Sequence, residues 1–179
     1  MNLILEILGM TFALLFVTTF ISKIIHWKEH KQTMASYKIL PAKVISISLL
    51  FFLINEAVIA FSALLVGWRP FNGILATILL LIYTLAIGIN LLRGRRDLAC
   101  GCGGVLENER LHYGLVVRNL LLITAVVFLS FTSKVHGISD GWLTVGIWLV
   151  SATLLLIIAV ISEWVRVRNQ LDHLISEGR

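Results

Sequence analysis

The chain has little of three things that a water-soluble domain of its size usually contains: charged residues, prolines and cysteines. Of its 179 residues, only 14% are charged, two are proline and two are cysteine, whereas 58% are hydrophobic. Soluble domains carry about 25% charged and about 45–50% apolar residues. The composition therefore excludes an ordinary soluble enzyme, and two cysteines exclude a structural disulfide framework.

The positive charge of the chain does not indicate nucleic-acid binding. Lysine and arginine outnumber aspartate and glutamate by 15 to 10, but long apolar runs separate them and leave no continuous basic surface. In membrane proteins such residues record topology and contact with lipid head groups. We therefore expect a lipid bilayer around the chain and no nucleic-acid partner.

Five apolar stretches are long enough, or nearly so, to cross a bilayer. About 20 helical residues span a hydrocarbon core about 30 Å thick, and backbone satisfaction in lipid favours helices for runs of this length. The sequence thus predicts an all-α, polytopic membrane protein with a four-helix bundle in residues 1–131. A fifth transmembrane helix and a basic cytoplasmic tail follow in residues 132–179. The predicted spans are Leu3–Ile25, Val44–Trp68, Phe71–Leu92, Leu115–Phe131 and Trp142–Ile161.

The basic residues are distributed unevenly between the two sides of the membrane that five spans define. One side receives the first loop, the third loop and the tail, and the other receives only Arg69 and Lys134. The positive-inside rule places the richer side in the cytoplasm. Its twelve basic residues are Lys23, Lys28, Lys31, Lys38, Lys43, Arg93, Arg95, Arg96, Arg110, Arg166, Arg168 and Arg179.

Residues at the edges of the spans have the character of a membrane interface. In the first loop, Met34, Tyr37 and Leu40 recur at helical spacing, which predicts a short amphipathic helix on the interface; a solvated connector is the alternative. Tryptophans at span edges are typical of interfacial belts, and we interpret four in this way: Trp27, Trp68, Trp142 and Trp164.

The third loop, residues 93–113, contains both cysteines, Cys100 and Cys102, with Gly101 between them. Residues two apart can form a disulfide if the backbone bends, and glycine permits that bend. Such a bond is strained, and strained disulfides suit catalysis better than stapling. Arg95 and Arg96 favour the thiolate. The sequence thus predicts a redox-active pair.

Two other interpretations of the cysteines stay open. The two thiolates with His112 are a ligand set for a soft ion such as Cu(I), although the few other ligands in this loop lead us to expect no metal site. The second alternative is a pair of thiols without chemical function in a glycine-rich turn.

Three polar residues within the spans, Glu56, Arg118 and Asn119, are candidates for a binding site. Ionisable groups at membrane depth usually face the bundle interior and find a partner. Glu56 and Arg118 either pair with each other or separately hydrogen-bond a polar head group between the helices. The alternatives are a structural interhelical hydrogen bond for Glu56 and snorkelling to the interface for Arg118.

Taken together, residues 3–131 resemble the MauE family of methylamine-utilisation membrane proteins, which is related to the DoxX-like group. The combination of motifs is specific, whereas any single motif is not, and Gly103 stands where family members often have phenylalanine. The motifs are Ser22–Lys23, Tyr37–Pro41, Glu56, Asn90–Arg95, Cys100–Gly104 and Val117–Leu122.

The resemblance implies a role in disulfide formation in exported proteins, beside a thioredoxin-like partner or a disulfide-containing client, in the bacterial cytoplasmic membrane. In the namesake system the client is a subunit of methylamine dehydrogenase. The arrangement is also similar to quinone-holding, disulfide-generating enzymes related to vitamin K epoxide reductase, by analogy of architecture only. We therefore expect Cys100 and Cys102 to exchange electrons with a membrane quinone near Glu56, Arg118 and Asn119.

Two further hypotheses compete with a redox enzyme. One is a non-enzymatic membrane scaffold or chaperone for a thioredoxin-like partner or maturation client. The other is a transporter, which the scarcity of charges within the spans and the lack of discontinuous helices argue against. An exported client also conflicts with the positive-inside rule, which places the cysteines in the cytoplasm. A dipping loop, a different number of spans or a cytoplasmic pair would each resolve that conflict.

Overall fold

A computed structural model describes residues 3–101, 111–132 and 141–177. These residues form six helices and no β-strand, which confirms the predicted all-α fold. Five helices are long and apolar enough to cross a membrane, and the short α2 is the exception. The helices are α1 (Leu3–Ile25), α2 (Trp27–Ser36), α3 (Ala42–Val66), α4 (Pro70–Leu92), α5 (Tyr113–Thr132) and α6 (Gly141–Glu177).

The helix boundaries lie within two residues of the predicted spans except at the end of α6. The apolar part of that helix is Thr144–Ile161, and the helix continues to Glu177. Residues after Ile161 are more polar, but nothing in their local sequence breaks a helix. Apolarity therefore marks where a helix can enter lipid, and it does not mark where the helix ends.

The bundle contains two tightly packed helix pairs, α1 with α3 and α4 with α5. Contacts between α3 and α4 join the two pairs. Its core is rich in alanine, which lets helices approach closely in lipid. Among the described residues, α6 contacts α1 alone. The buried core residues are Phe12, Ala13, Phe16, Ile59, Ala60, Ala63, Trp68, Ala76, Leu79, Val126 and Leu129.

Trp68 belongs to this core, so its prediction as an interfacial residue is wrong. Its side chain is 8% exposed, and its ring lies 5.8 Å from that of Phe12. The indole Nε1 donates to Ser130 Oγ on α5 at 3.4 Å. The chain turns back directly after α3, and this turn carries Trp68 into the bundle. Trp142 and Trp164, by contrast, are exposed.

The helix predicted in the first loop is present as α2, but it packs on the bundle. It contacts α1 and α3, and its His30 is buried with Nε2 3.4 Å from Ser22 Oγ. Tyr37, directly after α2, is also buried, whereas Leu40 is exposed. The face of α2 that carries His30 therefore covers one end of the bundle.

Candidate functional site

Cys100 lies at the end of the bundle that α2 covers. Its side chain is only 4% exposed and packs in a cluster with residues from three parts of the chain: Tyr37, Leu91 on α4 and Leu115 on α5. Leu111, at the far end of the third loop, completes the contact. Cys102 lies outside the described residues.

Tyr37 fixes the backbone on which Cys100 is carried. Its hydroxyl lies 3.0 Å from the carbonyl oxygen of Ala99 and 2.5 Å from that of Cys100, and it donates to both as a shared hydrogen bond. The two ends of the loop also meet, because the Leu111 N–H donates to the Leu98 carbonyl at 3.0 Å. Hydrogen bonds from Tyr37 and Leu111 therefore hold the backbone of residues 98–100, which we call the cysteine segment.

The residue that separates the cysteines has to be glycine for two reasons. Gly101 has φ +65°, a left-handed conformation that costs other residues about 1–2 kcal/mol. A Cβ at this position would also lie 2.7 Å from Thr33 Cγ2 on α2. Gly101 thus adopts a conformation that glycine permits and other residues rarely adopt, and α2 supplies the close contact behind it.

A buried ion pair lies deeper in the bundle. Lys23 Nζ, from the last turn of α1, donates to Glu56 Oε1 on α3 at 2.6 Å, and both side chains are at most 2% exposed. The Tyr83 hydroxyl on α4 donates to the same oxygen at 2.8 Å, and Lys23 Nζ lies 5.3 Å from the centre of the Tyr83 ring. Three helices thus meet at one carboxylate.

This carboxylate borders a narrow, partly open cleft between α1, α3, α4 and α5, with a cavity volume of about 40 Å³. Arg118 and Asn119 line the same cleft, so the structure brings together all three binding residues predicted within the spans. The remaining lining is mostly apolar: Phe12, Leu15, Phe16, Thr19, Leu80, Tyr83 and Leu122.

The buried atoms Glu56 Oε2 and Asn119 Nδ2, which belong to residues of the cleft, have no hydrogen-bond partner among the described residues. Leaving a buried acceptor or donor without a partner costs about 1–3 kcal/mol. A carboxylate oxygen accepts and an amide nitrogen donates. The cleft therefore offers one acceptor and one donor to a small molecule that carries polar groups on an apolar body.

The cleft and the cysteine cluster are adjacent layers of the bundle. On α4, Tyr83 of the cleft precedes Ile87 of the cysteine cluster by four residues, and on α5 Leu115 of the cluster precedes Asn119 of the cleft by four. Residues four apart lie on one helix face, about one 5.4 Å turn apart. The polar cleft therefore begins one helical turn below the layer that surrounds Cys100.

No metal site accompanies this arrangement in the described part of the chain. Within residues 3–101, 111–132 and 141–177, no group of three or more histidine, cysteine, aspartate or glutamate residues is placed to hold an ion. His112, the ligand considered beside the cysteines, lies just after the undescribed segment.

Sequence reasoning missed Tyr83, which lines the cleft, and Lys23, which pairs with Glu56. Lys23 was counted among the basic residues of the first loop, but it lies within α1 and is buried. Without Lys23, eleven of the twelve basic residues remain on the side of the membrane that receives the first loop. Its position inside an otherwise apolar span, like that of Glu56, was the available signal, since a buried charge demands a partner.

Comparison with known proteins agrees with this architecture. The family described as methylamine utilisation protein MauE matches residues 1–132. The methylamine utilization protein MauE of Paracoccus denitrificans is 31% identical over 153 residues, covering 80% of this chain and 82% of that protein. No solved structure matches the chain significantly. By both the family match and this relative, the chain belongs to the MauE family of multi-pass membrane proteins involved in methylamine utilisation.

Proposed function

We propose that this protein is a thiol–disulfide redox protein of the bacterial cytoplasmic membrane that supports disulfide formation in exported proteins. Cys100 and Cys102 alternate between the dithiol and the disulfide. The observation that carries the proposal is the position of Cys100, which lies beside a left-handed glycine and one helical turn above a polar cleft. An electron carrier held in that cleft would be close to the layer that contains the Cys100 sulfur.

The proposed reaction is balanced in two steps. A partner dithiol reduces the Cys100–Cys102 disulfide through a mixed disulfide, so that the partner is oxidised and two thiols form here. These two thiols then lose two electrons and two protons to a membrane quinone, which becomes the quinol, and the disulfide is restored.

The chemistry of the cleft lining supports a quinone as the electron acceptor. Its apolar walls suit the ring and tail of a lipid-soluble molecule, and its few polar atoms suit ring oxygens. Asn119 Nδ2 is a donor for a quinone carbonyl, and Arg118 lines the same wall. Glu56, Arg118 and Asn119 are therefore the proposed quinone-binding residues.

The proposed partner is a thioredoxin-like protein or a disulfide-containing client. The relative in Paracoccus denitrificans is named for methylamine utilization, and maturation of a methylamine dehydrogenase subunit is the corresponding process proposed here. Because Cys100 is only 4% exposed, we propose that the mixed disulfide with a protein partner forms at Cys102 and that Cys100 resolves it.

The test is a quinone-dependent change of thiol state in the purified, reconstituted protein. Reduced protein is mixed with a short-chain ubiquinone, and free thiols and quinol are measured together. We expect two thiols to disappear for each quinol formed, and we expect Cys100→Ser and Cys102→Ser each to abolish the change. Quinol formation by either variant at the wild-type rate would overturn the mechanism.

The burial of Cys100 favours one alternative, a non-enzymatic scaffold that recruits the thioredoxin-like partner or the client. A cysteine packed among Tyr37, Leu91 and Leu115 can simply fill space. The two functions differ in a single measurement: with a scaffold, the double variant Cys100→Ser/Cys102→Ser still supports client maturation in cells, whereas with a redox protein it does not.

The side of the membrane is tested separately. Cys100 packs at the end of the bundle that carries α2 and most basic residues, which the positive-inside rule places in the cytoplasm, whereas an exported client requires the opposite side. Intact cells with single-cysteine variants are treated with a membrane-impermeant thiol reagent. Labelling of Cys102 from outside supports an exported client, and labelling only after lysis overturns that part of the proposal and indicates a cytoplasmic thiol partner.

A further inference from the structure

We propose that Lys23, Glu56 and Tyr83 form a proton-exchange group for the molecule bound in the cleft, with Glu56 Oε2 as the atom that exchanges the proton. This inference rests on the proposed function, because it assumes that the cleft holds a quinone. It assigns a role to Lys23 and Tyr83, two residues that the proposed electron transfer from the cysteines to the quinone does not use.

The first observation is the asymmetry of the Glu56 carboxylate. Oε1 receives two hydrogen bonds, from Lys23 Nζ at 2.6 Å and from the Tyr83 hydroxyl at 2.8 Å. Oε2 has no partner among the described residues, although Glu56 lines the cleft. The two donors fix the carboxylate while its second oxygen is left for a ligand. A merely structural ion pair would gain by satisfying both oxygens.

The second observation is the position of Lys23. It lies two residues before the end of α1, and the next helix, α2, carries the exposed side chains of Lys28, Glu29 and Lys31. Lys23 is therefore anchored on α1 next to a charged segment, while its side chain, which is 2% exposed, reaches into the bundle to Glu56. In the proposed step it takes a proton from the membrane surface and passes it to that carboxylate.

The reduction of a quinone requires such a path. Two protons must reach the ring oxygens with the two electrons that leave the thiols, and apart from Glu56 and Tyr83 the polar residues of the cleft walls are Thr19, Arg118 and Asn119. In the proposed step, Lys23 passes a proton to the Glu56 carboxylate, and Glu56 gives a proton from Oε2 to a ring oxygen. Lys23 regains its proton from the aqueous face. The second quinol proton comes from one thiol and the proton of the other thiol leaves to water, so the net transfer is two electrons and two protons.

The experiment uses the full chain reconstituted in vesicles, with a short-chain ubiquinone as the probe. The double variant Lys23→Met/Glu56→Gln replaces the ion pair with two uncharged side chains of similar size, so that no charge is left alone in the bundle. Lys28→Met, at an exposed lysine five residues further along the chain, is the matched control. Two rates are measured: quinol formation and disulfide exchange of the cysteines with a small dithiol.

We expect the double variant to lower quinol formation by about a hundredfold, the usual contribution of general acid–base catalysis, and to leave disulfide exchange and the control unchanged. We also expect formate to restore a large part of the rate in Glu56→Ala, because it supplies a carboxylate beside Lys23. An altered packing would not respond to formate. If Glu56→Ala does not fold, the double variant alone decides.

The two proposals fail in different ways. Quinol formation by the double variant at the wild-type rate, with a wild-type protein that is active, overturns the proton-exchange group and leaves the redox function intact. A folded Glu56→Ala protein that formate does not restore overturns it as well. A wild-type protein that exchanges disulfides but never reduces quinone overturns the proposed function and this inference together.

Discussion

Lys23 on α1 and Glu56 on α3 form an ion pair, with Nζ and Oε1 2.6 Å apart and both side chains at most 2% exposed. Taking two charges out of water costs several kcal/mol per ion, and the attraction between them repays this only with good geometry and further hydrogen bonds. Tyr83 supplies one such bond. The pair therefore fixes the relative positions of α1, α3 and α4 around the cleft.

The first prediction concerns the stability of this pair. Lys23→Met leaves the Glu56 carboxylate without its cation, and we expect it to lower the free energy of unfolding by about 3–5 kcal/mol. Glu56→Gln should act similarly, whereas the double variant should lose much less than the sum, because no lone charge remains. Unfolding in detergent, followed by circular dichroism, measures the three values. Additive losses would contradict a direct pairing.

The second prediction concerns the hold of Tyr37 on the cysteine segment. Tyr37→Phe removes the hydroxyl that donates to the carbonyls of Ala99 and Cys100. A hydrogen bond contributes about 1 kcal/mol, so we expect the segment to open about fivefold more often. The rate of alkylation of Cys100, measured in a Cys102→Ser background, should rise by that factor.

The control for this variant is Tyr113→Phe, which removes a hydroxyl from a tyrosine that is 57% exposed on α5. We expect it to leave the alkylation rate of Cys100 unchanged. An equal rise in both variants would show that tyrosine hydroxyls at this end of the bundle act unspecifically, and would contradict the role of Tyr37.

The third prediction concerns Gly101. Gly101→Ala places a Cβ 2.7 Å from Thr33 Cγ2 and forces alanine into φ +65°. We therefore expect the free energy of unfolding to fall by at least about 1–2 kcal/mol and the disulfide to form more slowly. Adding Thr33→Ala removes the collision and leaves the backbone strain, so it should restore only part of the loss. The rate at which Cys100 and Cys102 oxidise in a glutathione buffer measures both effects.

Gly88→Ala provides the matched control, because a Cβ on this helical glycine meets nothing within 4 Å. Alanine is favoured over glycine in a helix by about 1 kcal/mol, so this variant should be neutral or slightly more stable. If Gly101→Ala behaved in the same way, the left-handed glycine between the cysteines would not be required.

The fourth prediction concerns α6. Among the described residues it contacts only α1, with Ser151 Oγ donating to the Ile7 carbonyl at 3.2 Å. None of the α6 side chains that the structure describes lines the cleft or joins the cysteine cluster. A chain ending at Thr132 should therefore insert in the membrane and keep the thiol exchange rate of the full chain, although its thermal stability should fall. Loss of exchange in a folded, inserted truncation would contradict this independence.

Much of the candidate site was predictable because charge and cysteine stand out against an apolar background. Glu56, Arg118 and Asn119 lie in one cleft, as expected of polar groups that lipid excludes from the outside of a bundle. The sequence signalled the partner of Glu56 only weakly: Lys23 is a charge within a predicted span, but it lies two residues from the end of its helix, where a lysine can equally well reach the interface. The roles of these residues in quinone binding and redox chemistry stay predictions.

The sequence alone determined that this chain crosses a membrane with five helices and where they begin, because lipid admits no unpaired backbone and each span needs about 20 apolar residues. Only the tertiary structure decided that Lys23 meets Glu56 and Tyr83, that Trp68 turns inward, and that Tyr37 holds Cys100 above the cleft. Those contacts depend on the register in which one helix packs against the next, and apolar spans of similar length and composition leave that register unspecified.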